Sequence, residues 1–551
     1  MADFENFGMI IFFFLITLSV LTGYFLRSRH VMLVHETGVA ILYGAIVGII
    51  ITVSSSSEKL QSFVSFNSEV FMLFLLPQII FESGYNMRRK AFFKNSSTIL
   101  LFAFVGTLIS MLIISFGLML FVKIKWVPVN LSPRDCLIFG SLISATDPVS
   151  VLAIFTELKV NRDLFANVFG ESVMNDAIAL VLVQTFLKFD DTHPISAGFI
   201  FKSIGMFIGI FIGSLAIGTL FGFLTALLLK HIKIQQIPLL ESTLTIVLAW
   251  VSFLLAEEIG LSGIASVLFC GIMDAHYSFN NLSKESQHLT KEWIHLLSYI
   301  SETFVFVYLG LAAFTVTHAF KWQLILLSLF LCLLSRFLNV YPLSWVNNKF
   351  KEKKKQLKKK EIFVVWFAGL RGAIAFALSL ILDSENGRIL MTTTLTIVFF
   401  TVFVLGGLTQ PVLKKLDLAY KDKDESLYKQ KKKTTFLEFD RKYLKPFLTH
   451  QRYGQRELDE LTQESYKITI KKKVQAYKEF EDKESKIDLV NENQNENEIK
   501  SGWESEEETV TESDSDLLIE KNKNKKNDQK NSDSDSNSKS TTTSSTGSEK
   551  D

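Results

Sequence analysis

Apolar residues run along this chain in stretches far longer than one face of a soluble helix requires. Thirteen such runs follow one another between about residues 6 and 415. They lie at roughly 6–26, 36–53, 69–84, 98–122, 135–156, 164–187, 198–229, 237–257, 259–275, 293–316, 321–343, 361–382 and 389–413. A helix needs about 20 apolar residues to cross a bilayer. Nothing in hydrocarbon satisfies a free backbone group, so helices and closed barrels are the spanning structures available. Continuous runs without strand-like alternation predict helices, hence an all-α polytopic membrane protein with about 13 transmembrane helices. The first run follows MADFEN, which has almost no positive charge, and no small-residue cleavage site follows it, so it reads as a retained span.

Lys and Arg set the orientation, because they accumulate in cytosolic loops. With the N-terminus outside the cytosol, the cytosolic loops hold Arg27, Arg29, Arg88, Arg89, Lys90, Lys94, Lys159, Arg162, Lys230, Lys233, Lys284, Lys291 and the run KFKEKKKQLKKK at 349–360. The opposite loops hold Lys59, Lys123, Lys125, Arg134, Lys188, Lys321 and Arg388, a roughly threefold bias. An odd number of spans then puts the C-terminus in the cytosol. The 349–360 run reads first as a topology determinant and second as a patch for membrane lipids.

Composition changes near residue 416. The 551 residues are 48% hydrophobic, but that average joins two unlike parts. Residues 1–415 form the expected transmembrane domain. Residues 416–485 mix charge with spaced apolar residues (FLEFDRKYLKPFL), a pattern for short helices against the membrane's inner face or a partner. Residues 486–551 are acidic and Ser-rich with too few apolar residues to offset ordering entropy, and are expected to be disordered. Regulatory proteins are the expected partners of this tail. The net charge of +2 describes neither part and gives no basis for binding nucleic acid. Cys136, Cys270 and Cys332 fall in or beside apolar runs at no metal-site spacing and read as packing residues.

Polar groups within the runs are the candidate chemistry, since a charge near the bilayer centre costs about 2.5–3.5 kcal/mol on insertion scales and marks a path or a relay. In GESVMNDAIALVL, Ser172, Asn175 and Asp176 stand at i, i+3 and i+4, neighbours on one helix face. Two neutral oxygens and a carboxylate suit a hard cation. Glu171 points elsewhere and needs its own partner. In SATDPVSVLAIF, Pro148 disfavours helix at Asp147. Such a break, tolerated only against protein or a cavity, frees the groups of Thr146 and Asp147 for an ion. FAGLRGAIAFAL gives a second break, where Gly369 and Gly372 flank Arg371. Arg371 is the preferred partner for Glu171, with Arg336 the weaker candidate. Glu82 in FESGYNM and Glu302 in SETFVFVYLG are read as network or gating groups.

These motifs, with GLSGIASVLFCGI and HYSFNNLS, occur in an order that resembles the sodium/proton exchanger family of cation/proton antiporters over about residues 36–450. FESGYNM and HYSFNNLS are closer to its Golgi and endosomal members than to those resident in the plasma membrane. The resemblance implies two inverted six-helix repeats crossing at the two broken spans, an extra leading helix, and a homodimer. It implies that Asp176 carries Na⁺ or K⁺ and H⁺, with Asn175, Ser172 and Thr146 beside it, and that Glu171 and Arg371 form a structural ion pair. Pro77-Gln78 departs from the family's usual two prolines, which puts sensitivity to amiloride-type inhibitors in doubt. One titrating group beside an amide predicts one-for-one, electroneutral exchange serving cytosolic or organellar pH, with no cofactor beyond the transported ions. The rivals are a cation or proton channel, a membrane scaffold, and an intramembrane serine protease built on Gly260-Leu261-Ser262-Gly263 with His295 or His318 as base.

Overall fold

The computed structural model describes residues 2–29, 36–54, 70–87, 89–147, 151–152, 154–155, 160–189, 197–232, 237–351, 356–382, 386–416 and 439–449. All lie in the first of two units, Met1–Gly454 and Gln455–Asp551. Pro148, which the broken-helix argument used, and the acidic 486–551 tail fall outside the described residues.

The described residues are helical, with no strand among them. In chain order the spans are α1 (Ala2–Ser28), α2 (Glu36–Ser54), α3 (Phe71–Tyr85), α4 (Ala91–Lys123), α5 (Pro133–Ser144, helical again at 151–152 and 154–155), α6 (Arg162–Leu187), α7 (Ala197–His231), α8 (Pro238–Glu258), α9 (Gly263–Met273, continuing to Asn281), α10 (Lys284–Thr315), α11 (Trp322–Phe350), α12 (Lys359–Phe367 and Ala373–Ser379) and α13 (Gly387–Leu416). Each of the thirteen apolar runs has its helix. Nine of them, among the described residues, are long and apolar enough to span by those criteria. The remaining four, α3, α5, α9 and α12, are short or interrupted, and two of these carry the predicted breaks.

Local sequence explains several ends. Ser132 caps α5 in a capping box with Asp135, with Pro133 in the first turn; Asn161 caps α6, Ser262 caps α9 and Ser283 caps α10. In each the side-chain oxygen takes an otherwise unpaired N–H of the first turn. Polar turns carry some helices beyond their apolar runs: α10 begins at Lys284, although its apolar run starts near 293.

The helices pack as two bundles. One comprises α4, α5, α6, α11, α12 and α13; the other α1, α2, α3, α7, α8, α9 and α10, with α6 and α10 reaching across the seam. The break falls in the fifth span of α1–α6 and in the fifth span of α8–α13, sets entered from opposite faces of the membrane. The helix outside the repeats is therefore the connector α7, not the leading helix expected from the sequence. A final helix, α14 (440–448), lies beyond the spans and packs against α7 and α9.

Candidate functional site

In α6, 94% of the spanning window is buried inside the protein, against 17% for α1. A span surrounded by other helices does not put its acids into lipid, which is why α6 can hold Glu171, Asn175 and Asp176. All three are buried, with Ser172.

The two breaks meet at this helix. Residues 145–147 leave the helical path after Ser144, and residues 368–372 separate the halves of α12. Asp147 N donates to Leu370 O at 2.9 Å, so each break satisfies a backbone group of the other. A Cβ on Gly372 would run into the Asp147 side chain, so the crossing needs glycine there. Arg371 N donates to Thr401 Oγ1 of α13 at 3.2 Å, and Thr401 Oγ1 donates back to Arg371 O. Nothing in TVFVLG singles out Thr401 as the residue that satisfies this break.

Thr146 is the hub. Asn175 Nδ2 donates to Thr146 Oγ1 at 2.5 Å, Thr146 N donates to Asn175 Oδ1 at 3.3 Å, and Ser172 Oγ donates to Thr146 O. The three predicted neighbours of Asp176 do come together. Their hydrogen bonds are spent on one another, so Ser172 and Asn175 brace the break more than they present free oxygens. Asp176 differs: its carboxylate has no hydrogen bond among the described residues. The charges coupled to it are Asp147, of like sign, and Arg371, of opposite sign.

Glu171 pairs with Arg336, not with Arg371. Arg336 Nη1 lies 2.5 Å from Glu171 Oε1, and Nη2 donates to Val365 O at 2.9 Å. Arg371 Nη1 instead donates to Ser144 O at 2.8 Å and Ala145 O at 2.9 Å. It neutralises the carbonyl end of the first half of α5, where a helix dipole favours a cation. Sequence pattern could not separate two lone arginines. The deciding feature is Gly369, whose missing side chain gives Arg336 passage: a Cβ there would lie 2.6 Å from Arg336 Nε.

Glu82 and Glu302 lie in the opposite bundle. Glu82 accepts from Asn86 Nδ2 at 2.8 Å and faces His295 Nδ1 at 3.4 Å. Glu302 is coupled to Glu82 and, across the seam, to Asp147. The atypical Gln78 accepts from Ser301 Oγ at 2.7 Å, joining α3 to α10 beside Glu302. Ser262 is buried as the α9 cap, its N–H on Ser214 Oγ. His295 faces Glu82, and His318 Nε2 faces the last carbonyls of α10 at 3.0–3.1 Å. Neither histidine partners Ser262, so the protease arrangement is not assembled.

Two interrupted helices crossing beside a buried carboxylate, between two bundles, define a secondary-transporter architecture of the cation/proton antiporter type. The chain matches the family model "Sodium/hydrogen exchanger, transmembrane" over residues 15–415 and belongs to that family. It is 36% identical to human sodium/hydrogen exchanger 9 over 522 residues, covering 80% of this chain and 81% of that one. It is 39% identical to human sodium/hydrogen exchanger 8 over 426 residues, covering 75% and 72%. Among solved structures, the sodium proton antiporter MjNhaP1 of Methanocaldococcus jannaschii shares the fold, with TM-score 0.57 and 18% identity over 76% of this chain and 99% of that one.

Proposed function

We propose that the protein exchanges Na⁺ or K⁺ for H⁺, one for one, with Asp176 as the shared seat. The carrying observation is that the crossed breaks surround a buried carboxylate whose neighbours are already satisfied by one another. A cation and a proton then compete for the same oxygens. Binding neutralises Asp176, the bundle of α4–α6 and α11–α13 moves against the other about the seam, and the ion leaves on the far side. Asn175 stays neutral throughout, so each loaded state carries the same charge and the cycle moves none. Glu171 and Arg336 hold α6 on α11, while Arg371 and Thr401 hold the crossing open.

The loop charges support a non-cytosolic N-terminus and a cytosolic tail. The motifs closer to Golgi and endosomal members support an organellar membrane, with the plasma membrane as the alternative, and the family resemblance supports a homodimer.

The test uses proteoliposomes with an internal pH dye and the voltage clamped by an ionophore. Na⁺ and K⁺ gradients are imposed in turn on wild type and Asp176→Asn. Proton movement that follows the cation gradient, ignores voltage and disappears in the variant is expected. Full activity in Asp176→Asn would sink the site, and voltage-driven flux would replace the exchanger with a channel or an electrogenic carrier.

A further inference from the structure

α6 is held differently at its two ends. In its first turn, Asp163 meets Lys94 Nζ at 2.8 Å and accepts from Asn95 Nδ2 at 3.1 Å, both on α4 of the same bundle. Its other end reaches the opposite bundle. Lys188, just past α6, donates from Nζ to Gly260 O at 2.8 Å, in the turn between α8 and α9. One helical turn earlier, Gln184 hydrogen-bonds Glu257 at the end of α8, and Glu257 is also coupled to the Lys188 charge. The turn that receives them is pinned to its own bundle. Gly260 takes a φ of 78°, which suits glycine alone among ordinary residues. Glu257 Oε1 accepts from Gly263 N at 2.8 Å, and Ser262 N donates to Ser214 Oγ of α7 at 2.9 Å. A second tie crosses the seam at the same end of the bundles. His318, past the end of α10, has Nδ1 3.4 Å from Thr392 Oγ1 of α13, and that hydroxyl also accepts from Ala319 N at 3.2 Å.

These ties stand over one side of the carboxylate. Lys188 lies about 18 Å beyond Asp176 along the helix, at 1.5 Å per residue, and Ala177 through Val183 between them are all buried. On the other side the acids lead out to the surface: Asp147, Glu302 and Glu82 are each partly exposed, and Glu82 faces His295, whose side chain is 65% exposed. We propose that the Lys188–Gly260, Gln184–Glu257 and Thr392 ties are the gate that shuts Asp176 off from the non-cytosolic side, so that the structure is the cytosol-facing state. This rests on the exchanger reading and the orientation given above. Arg134 of α5 donates to Phe186 O at 3.3 Å and Leu187 O at 3.0 Å, so the end of α6 travels with its own bundle. Opening this side must draw that end away from the α8–α9 turn and break the ties. Lys188 and Gly260 are exposed, and exposed charged contacts are weak enough to break and remake in every cycle.

The experiment reads access to the buried stretch directly, in the full chain in liposomes. Val181→Cys places a thiol between Asp176 and the gate, and Val168→Cys places one on the cytosolic half of α6; both positions are buried, as are the native cysteines. A membrane-impermeant maleimide is added to the face that carries Lys188. Adding Lys188→Ala and Thr392→Val is expected to speed labelling at Val181→Cys about three- to tenfold, the population shift set by one or two exposed hydrogen bonds, and to leave Val168→Cys unchanged. Unchanged labelling at Val181→Cys, or an equal rise at both positions, overturns the gate. A second construction closes it: Gln184→Cys with Glu257→Cys, bridged by a short reducible bis-methanethiosulfonate. Exchange under a Na⁺ gradient is expected to stop on bridging and to return with reductant. Exchange that continues through the bridge, or stays absent after reduction, overturns the proposal. Labelling that follows the gate in a wild type that moves no cation would keep the gate and overturn the exchanger reading instead.

Discussion

At the scale of single residues, the buried ion pair is where sequence and structure part. Glu171, Asp176 and the lone arginines are legible in the sequence, because charges inside apolar runs are few. Which arginine serves which acid is not legible, since it depends on a gap at Gly369 and on where the crossing puts Arg371. The observed pairing has a quantitative consequence. Removing one partner from a buried pair strands the other charge, at about 3–5 kcal/mol. Glu171→Ala is therefore expected to lower the stability of the purified protein strongly, read as heat inactivation in detergent. In a double-mutant cycle with Arg336→Ala, the two losses should be far from additive. The same cycle with Arg371→Ala should show a clearly smaller coupling, since Arg371 meets Glu171 only through a Coulombic interaction and not through an ion-pair hydrogen bond. Strong coupling to Arg371 instead would restore the pairing expected from sequence.

At the scale of elements, thirteen apolar runs became thirteen helices because hydrophobic length is a direct physical requirement of crossing. The breaks were also readable, from Pro148 and from Gly369 and Gly372. How closely helices approach one another was not, because a glycine in an apolar run looks the same on a lipid face as on a contact. Gly44 and Gly310 mark the tight contact of α2 with α10: a Cβ on Gly44 would strike Val307 O, and one on Gly310 would strike Ile41 O. Small residues let membrane helices reach such distances, and side-chain packing then replaces the missing hydrophobic drive. Gly44→Ala and Gly310→Ala are each expected to lower the heat-inactivation midpoint by several degrees. Gly205→Ala, with nothing near its Cβ, should leave it unchanged. Gly372→Ala should act differently. It presses on Asp147 inside the crossing, so exchange in proteoliposomes is expected to fall even where protein yield holds.

At the scale of the whole molecule, a helix docked beyond the last span raises the question of whether pH alone can release α14. The tail stretch FLEFDRKYLKPFL showed helix-forming spacing, but its receptor is assembled from α7 and α9, far away in sequence, and could not be foreseen. The groups facing Asp440 are His276, Tyr277 and Lys445, with Lys230 at the other end of the helix. Burial alone would raise the Asp440 pKa. The hydrogen bonds from His276 and Tyr277, with the charges of His276 and Lys445, outweigh it and hold the carboxyl below the ordinary range. A carboxyl depressed on docking stabilises the docked form above its free pKa of about 3.9, and that stabilisation is lost only as pH falls through the lower, docked value. Mild acid therefore leaves the charge of Asp440, and with it the anchor, in place. Amide protection over 440–448, corrected for intrinsic exchange, should therefore stay level from pH 8 to about 5, well above the point where Asp440 protonates. In Asp440→Asn it should be lower at every pH, because the neutral amide cannot hold the three donors as a carboxylate does. A loss of protection in wild type between pH 7 and 6 would mean that another group governs docking. With level protection, the docking of α14 on α7 and α9 is insensitive to pH over this range, and the pH response of exchange is left to the competition proposed at Asp176.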